Sequence, residues 1–212
     1  MTLDIDPARY IGAVSRVVAT REVDGRPAYV IVAARDFDTT PDDLWDALTN
    51  GERIPRWFLP IEGDLRLGGR YQFKGNAGGT ITTCEAPRHL GVTWEFGGQV
   101  SWVDVRLSPV AHGTRLELEH VAHVPPGMWD QYGPGAVGVG WDSGLAGLAN
   151  HIATGASVTP EEGMAWLVSE QGKAFVRASS DDWCRASIEM GTDGDAARAA
   201  SERTFAAYTG QG

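Results

Sequence analysis

Little in this chain of 212 residues can act as a covalent or metal staple. It has 2 cysteines, and Cys84 and Cys184 stand far apart, outside any CxxC or Cys/His spacing. That excludes a zinc site and a disulfide framework and predicts two reduced core thiols. Long apolar runs are also missing. No stretch approaches the roughly 18 apolar residues of a membrane span, and the N-terminus (MTLDIDPARY) has neither a basic n-region nor an apolar h-region. The expectation is a cytoplasmic protein without a signal peptide. Basic clusters are absent as well, and 28 acidic against 18 basic side chains give a formal charge of -10. Phosphate backbones and anionic lipid surfaces are repelled by such a chain, so neither nucleic acid nor a membrane is an expected partner.

The signatures of catalysis are equally sparse. Gly75-Asn76-Ala77-Gly78-Gly79 resembles a phosphate loop, but no GK[ST] follows and a strand comes next, so it reads as a hairpin loop. There is no GxSxG elbow, and serines, histidines and acids follow no recognisable triad order. No catalytic set, metal site or cofactor is predicted.

What the chain does have is apolar and aromatic bulk: 42% hydrophobic residues, with 8 Trp, 6 Phe and 5 Tyr. That suffices for one sizeable core plus an appendage, with most aromatics inside it or lining a cleft. Tyr10 to Val23 and Pro27 to Phe37 are rich in Val, Ile and Tyr, and Asp24-Gly25 between them is a preferred hairpin turn. Thr40-Pro41-Asp42-Asp43 then offers an N-cap, a first-turn proline and acidic residues, which predicts a helix to about Asn50. A short helix over Glu52 to Phe58 follows.

Five strands are expected next, over Asp64 to Lys74, Gly79 to Ala86, His89 to Phe96, Val100 to Pro109 and Thr114 to Val124, with Pro125-Pro126 closing the sheet. Alternation puts Val103, Val105 and Leu107 on one face, and Leu116, Leu118 and His120 opposite Arg115, Glu117 and Glu119, so one sheet face is buried and the other wet. Val137, Trp141, Leu145, Leu148 and Ile152 then form a helical stripe. Beyond it, Thr159 and Glu162 have capping-box spacing, Met164, Leu167, Val168 and Phe175 form an apolar face, and a last helix is expected from Gly194 to Tyr208. The predicted organisation is a domain over residues 1–154 and a helical extension over 155–212, docked on that domain or on a second copy as a homodimer.

The wording within this order resembles the START/Bet v 1-like (SRPBCC) superfamily, and within it the branch named after the homologue of the heat-shock-chaperone ATPase activator. The residues that carry the resemblance begin with Leu44-Trp45-Asp46-Ala47-Leu48-Thr49, Trp57-Phe58 and Leu67-Gly68-Gly69-Arg70-Tyr71. They continue through Ala86-Pro87-Arg88-His89-Leu90, Thr93-Trp94, Gly113 to Leu118 with His120, and Gly140-Trp141 followed by Leu145, Leu148 and His151. The resemblance spans about residues 28 to 153 and implies an α+β helix-grip fold, a curved antiparallel sheet wrapped around a long C-terminal helix. It also implies a cavity for small apolar molecules and no obligate cofactor. The separate N-terminal chaperone-docking domain of the true activators is not recognisable, which weighs against chaperone activation.

The expected ligand is therefore a small hydrophobic molecule, with Trp57, Tyr71, Phe73, Trp94, Leu118 and Trp141 as walls and His120 as the polar contact. A plain core role competes for each of them. His123, three residues from His120 along a strand, faces the other way, so the two cannot share a metal. Trp102, Asp104 and Arg106 read as a solvated face. The glycines from Gly127 to Gly147 fit either a mobile flap or close helix packing. Two rival functions remain at this level: a lyase or cyclase using His120 or Glu95 in the same cavity, and a chaperone co-factor.

Overall fold

The computed structural model describes residues 6–125 and 127–211. Met1 to Ile5, read above for a leader, Pro126 of the proline pair and Gly212 lie outside the described residues. The fold class is α+β, with an eight-stranded sheet in the order β1-β2-β8-β7-β6-β5-β4-β3 and one long helix after it, the element set of the helix-grip fold. The chain divides into two compact units, one of residues 1–33, 123–146 and 161–212, the other of residues 34–122 and 147–160. Among the described residues, no helix is long and apolar enough to cross a membrane.

The second unit holds helix α2 (Pro41–Thr49), strands β3 (Ile61–Gly63), β4 (Arg70–Phe73), β5 (Gly78–Glu85), β6 (His89–Phe96), β7 (Gln99–Val110) and β8 (Gly113–Ala122). Thr40 caps α2 through its side chain and Pro41 opens it, as the cap chemistry requires. The expected second helix shrinks to a 3₁₀ turn at Ile54–Arg56. The strand expected over Asp64 to Lys74 is confined to β4, and β3, which lies before that range and was not foreseen, pairs with it antiparallel with Ile61 opposite Phe73. A turn between them reverses the chain through Gly68, whose φ of 79° suits glycine. Along β7 and β8, Val103 pairs with His120, Val105 with Leu118 and Leu107 with Leu116, and all six are buried. The alternation seen in the sequence is thus the inner face of a real ladder. Cys84, expected in the core, lies exposed on β5.

The first unit begins with α1 (Pro7–Gly12), capped by the Asp6 carboxylate on the Ala8 and Arg9 amides, which takes up Tyr10 to Gly12 of the strand expected from Tyr10. Strands β1 (Val14–Val23) and β2 (Arg26–Phe37) follow, joined through Asp24 and Gly25, both at positive φ as a two-residue hairpin turn of this kind demands. β2 runs on into the second unit with its last residues. Helix α3 (Met128–Tyr132) was not foreseen, and the long helix α4 (Gly135–Thr154) begins in this unit. The C-terminal segment supplies α5 (Pro160–Leu167), α6 (Glu170–Glu189) and α7 (Gly194–Thr209). Its apolar face differs from the expected one: Met164 and Val168 are 63% and 54% exposed, because the chain breaks between α5 and α6 and turns them outward. Trp166 and Phe175 carry the packing instead, clustered with Ile11 and Ala146.

A buried ion pair ties these pieces together. Arg16 Nε lies 3.0 Å from Asp142 Oδ2, with the two side chains 3% and 0% exposed. The same carboxylate oxygen accepts from Ser179 Oγ and, at 3.0 Å, from Trp183 Nε1. The guanidinium also donates to the Val14 carbonyl at 3.0 Å and to Asp182 at 2.7 Å. Burial pushes the Asp142 carboxyl upward, and the Arg16 charge with the two neutral donors opposes that shift. Trp183 fits here because Gly138 leaves room: a Cβ at that position would sit 2.3 Å from the indole. Close packing, rather than a flap, is what Gly138 serves.

Removing one member of a buried pair leaves an uncompensated charge, which costs about 3–5 kcal/mol. Arg16→Met should lower the urea midpoint accordingly. The double variant R16M/D142N, in which the remaining amide oxygen still accepts from Ser179 and Trp183, should recover more than half of that loss. Additive losses would show that the charges are not coupled.

Candidate functional site

In the second unit, one face of β4 to β8 is built from alternate residues: Tyr71 and Phe73, Ile81, Val92 and Trp94, then Ser101 and Val103, then Leu118 and His120. Pairing of Trp94 with Ser101 and of Val103 with His120 puts the indole, the hydroxyl and the imidazole side by side. The rings form a continuous run. Trp57 contacts Phe58 at 5.5 Å between centroids, Phe58 meets Phe73 edge-on at 5.0 Å, and Phe73 contacts Tyr71 at 5.4 Å and Trp94 at 5.7 Å. Trp94 lies 6.4 Å from the His120 ring. Edge-to-face and tilted arrangements at such spacings are attractive beyond simple burial. Ile54, Ile81 and partly buried Leu59, Leu65, Leu90 and Val92 complete the apolar surroundings.

Polar groups on this surface are few and each is oriented. Trp57 Nε1 donates to the Ala47 carbonyl at 3.0 Å, which ties the 3₁₀ turn to α2. Gly147, in the half of α4 that belongs to this unit, would meet the Trp57 carbonyl at 2.5 Å if it carried a Cβ, so helix and turn touch through backbone. Tyr71 Oη donates to the Thr93 carbonyl at 2.8 Å, and burial raises its pKa, which keeps the phenol protonated.

His120 is a further titratable group of the inner face. Ser101 Oγ donates to the Trp94 carbonyl at 3.0 Å, and its single proton is used there. The 2.8 Å contact between Ser101 Oγ and His120 Nε2 is therefore a bond donated by the imidazole. A neutral ring with its proton on Nε2 carries its lone pair on Nδ1. Burial lowers the His120 pKa from 6.5 to about 4, which leaves the ring uncharged at neutral pH.

Of the residues singled out in the sequence, Trp57, Tyr71, Phe73, Trp94, Leu118 and His120 all belong to this unit, and five of them join in the ring run. Trp141 belongs to the first unit. Glu95 stands on the opposite face of β6 from Trp94, held by Arg70 at 2.8 Å, and that guanidinium keeps its carboxyl below the ordinary range. It is an ionised surface group without access to the inner face. Ser101 and Phe58 were missed as site residues. Ser101 was detectable, since it continues the alternation of Val103, Val105 and Leu107 as a polar residue on an apolar face. Among the described residues, no cluster of three His, Cys, Asp or Glu side chains could hold a metal.

A family model described as activator of Hsp90 ATPase homolog 1-like protein matches residues 38–153. The crystal structure of CalU16 from Micromonospora echinospora is 32% identical, with 85% of this chain and 99% of that chain covered at a TM-score of 0.66. The solution structure of CalU16 is 30% identical over 94% of each chain, at a TM-score of 0.63. That coverage leaves too little of this chain unmatched to omit the segment after Thr154. MLL2253 from Mesorhizobium loti, 23% identical over 57% of this chain and 94% of its own, has a TM-score of 0.52 and shares the fold. No curated protein matches the chain.

The buried imidazole has a consequence for stability. Its folded pKa, about 4, lies below the ordinary 6.5, so the unfolded state binds the proton first as pH falls. Stability is complete above about pH 6.5 and declines toward pH 4, by on the order of 3 kcal/mol. Carboxylates titrate in the same range, so the difference between the unaltered protein and His120→Gln isolates the effect. That difference should shrink steadily from pH 7 to pH 4 in denaturant unfolding; a constant difference would mean that His120 is not held neutral.

Proposed function

We propose that this chain, which belongs to the activator of Hsp90 ATPase homolog 1-like family, binds a small apolar or aromatic molecule on the inner sheet face of its second unit. The observation that carries the reading is the run of rings from Trp57 through Phe73 to Trp94, ending on a neutral, oriented histidine. Ligand sites combine a mostly apolar wall with a few placed polar groups, and this surface has that composition. Leu118 and the aromatic rings are the apolar contacts, and His120 is the group that discriminates among ligands by their polar substituents. A neutral ring whose Nε2 proton goes to Ser101 accepts and does not donate, so it favours a hydroxyl-bearing partner over a carbonyl or an ion.

A lyase or cyclase acting on the same face is the second reading, and the oriented neutral His120 is what favours it. A base with a pKa of about 4 is poorly matched to proton abstraction near neutrality, so binding without turnover is the reading adopted. Chaperone activation rests on the family's name alone.

Intrinsic Trp fluorescence should respond to fatty acids, flavonoids or steroid-like probes at micromolar concentration, about -8 kcal/mol of binding free energy. Trp94→Ala should weaken every responding probe. His120→Leu should weaken probes with a hydroxyl by about tenfold while sparing hydrocarbons. Silence across a chemically broad panel would overturn the proposal, and an altered absorption spectrum of the recovered probe would convert it to the enzyme reading.

A further inference from the structure

A cavity of about 160 Å³ lies in the first unit among α3, α6 and α7, lined by Trp129, Tyr132, Ala197 and Ala200 and by Ser180, Cys184 and Ser201. Its aromatic wall is fixed in place, since Trp129 stacks on Tyr29 with centroids 3.6 Å apart and planes within 6°. Ser180 and Ser201 are 1% and 7% exposed, and among the described residues neither hydroxyl has a hydrogen-bond partner. Buried hydroxyls ordinarily have partners, because an unmet one forfeits its bonds to water with nothing in return. Two such groups, one from α6 and one from α7, border the same space.

We infer that this cavity is a second binding site, for a neutral one-ring molecule bearing a hydroxyl or carbonyl group, of the size and polarity of phenol. The size argument is direct: an apolar cavity of about 150 Å³ accommodates benzene. The ring packs against Trp129, Tyr132 and the alanine methyls, and the polar substituent meets the serine hydroxyls, each able to donate and to accept. Charge selects against anions. The neighbouring Arg203 is occupied by the Asp130 and Gln131 carbonyls at 3.0 and 2.6 Å, and the lining includes the carboxylate-bearing Asp130. This site is independent of the one in the second unit.

Cys184 provides the readout. It borders the cavity and is partly exposed, while exposed Cys84 serves as an internal reference in the same molecule. The full chain is alkylated with N-ethylmaleimide in the presence of phenol or benzene, and each cysteine is followed by peptide mass spectrometry. Millimolar phenol should slow modification of Cys184 at least threefold without altering Cys84, and benzene should protect less. The double variant S180A/S201A should need about tenfold more phenol for equal protection, and Ala200→Phe, which fills the cavity, should abolish it. If Ala200→Phe fails to fold, the serine variant carries the test. No protection by phenol up to its solubility limit, equal protection by benzene, or undiminished protection in S180A/S201A would overturn the inference.

Discussion

The first unit depends on one buried ion pair. Arg16 comes from β1, Asp142 from α4, and the two further donors to the same carboxylate oxygen, Ser179 and Trp183, come from α6. Segments from the beginning, the middle and the end of the chain thus meet on one oxygen atom. Desolvating two charges costs more than their attraction alone returns, so a buried pair draws on further hydrogen bonds. Here the guanidinium is satisfied by the carbonyl of Val14 and by Asp182 as well as by Asp142. The C-terminal helices are for this reason part of a compact unit with α1, β1 and the start of α4, and the fully buried Phe175 and Trp183 follow from that placement.

This arrangement was illegible in the sequence, and the reason is physical. An arginine in a strand and an aspartate in a helix read as surface charges until the tertiary partner is known, and no periodicity announces one. Local chemistry was far more readable. Asp24-Gly25 and Thr40-Pro41 mark a turn and a cap that depend on a few adjacent residues, and each sits where its backbone angles or side-chain acceptors demand. The strand that is β4 was started too early because the apolar Leu65 and Leu67 hid the turn at Gly68. Met164 and Val168 were misassigned because helical spacing was extended across the break between α5 and α6.

Which residues share the inner face of the sheet was legible in the sequence. Strand alternation alone places Tyr71 with Phe73, Trp94 with Val92, and Leu118 with His120, and the ladder register then joins them. What alternation does not carry is the hydrogen bonding that gives His120 its tautomer, since Ser101 is one unremarkable serine in a strand. The same blindness hid the serine-lined cavity of the C-terminal helices, since no periodicity marks Ser180 or Ser201 as facing one space. Both sites pair aromatic walls with small hydroxyl groups, a composition suited to neutral ligands and consistent with a chain whose net charge of -10 repels anions.

The central claim is that His120 is a neutral, oriented polar contact on an apolar ligand-binding face. Nitrogen-15 NMR of the histidine rings tests both halves of it in one experiment. At pH 6 the His120 ring is expected to be uncharged with its proton on Nε2, and its signals should shift on addition of an apolar probe that changes Trp fluorescence, while those of exposed His112 stay fixed. A His120 ring that titrates near 6.5, or one whose signals remain unmoved while such a probe binds, would contradict the claim.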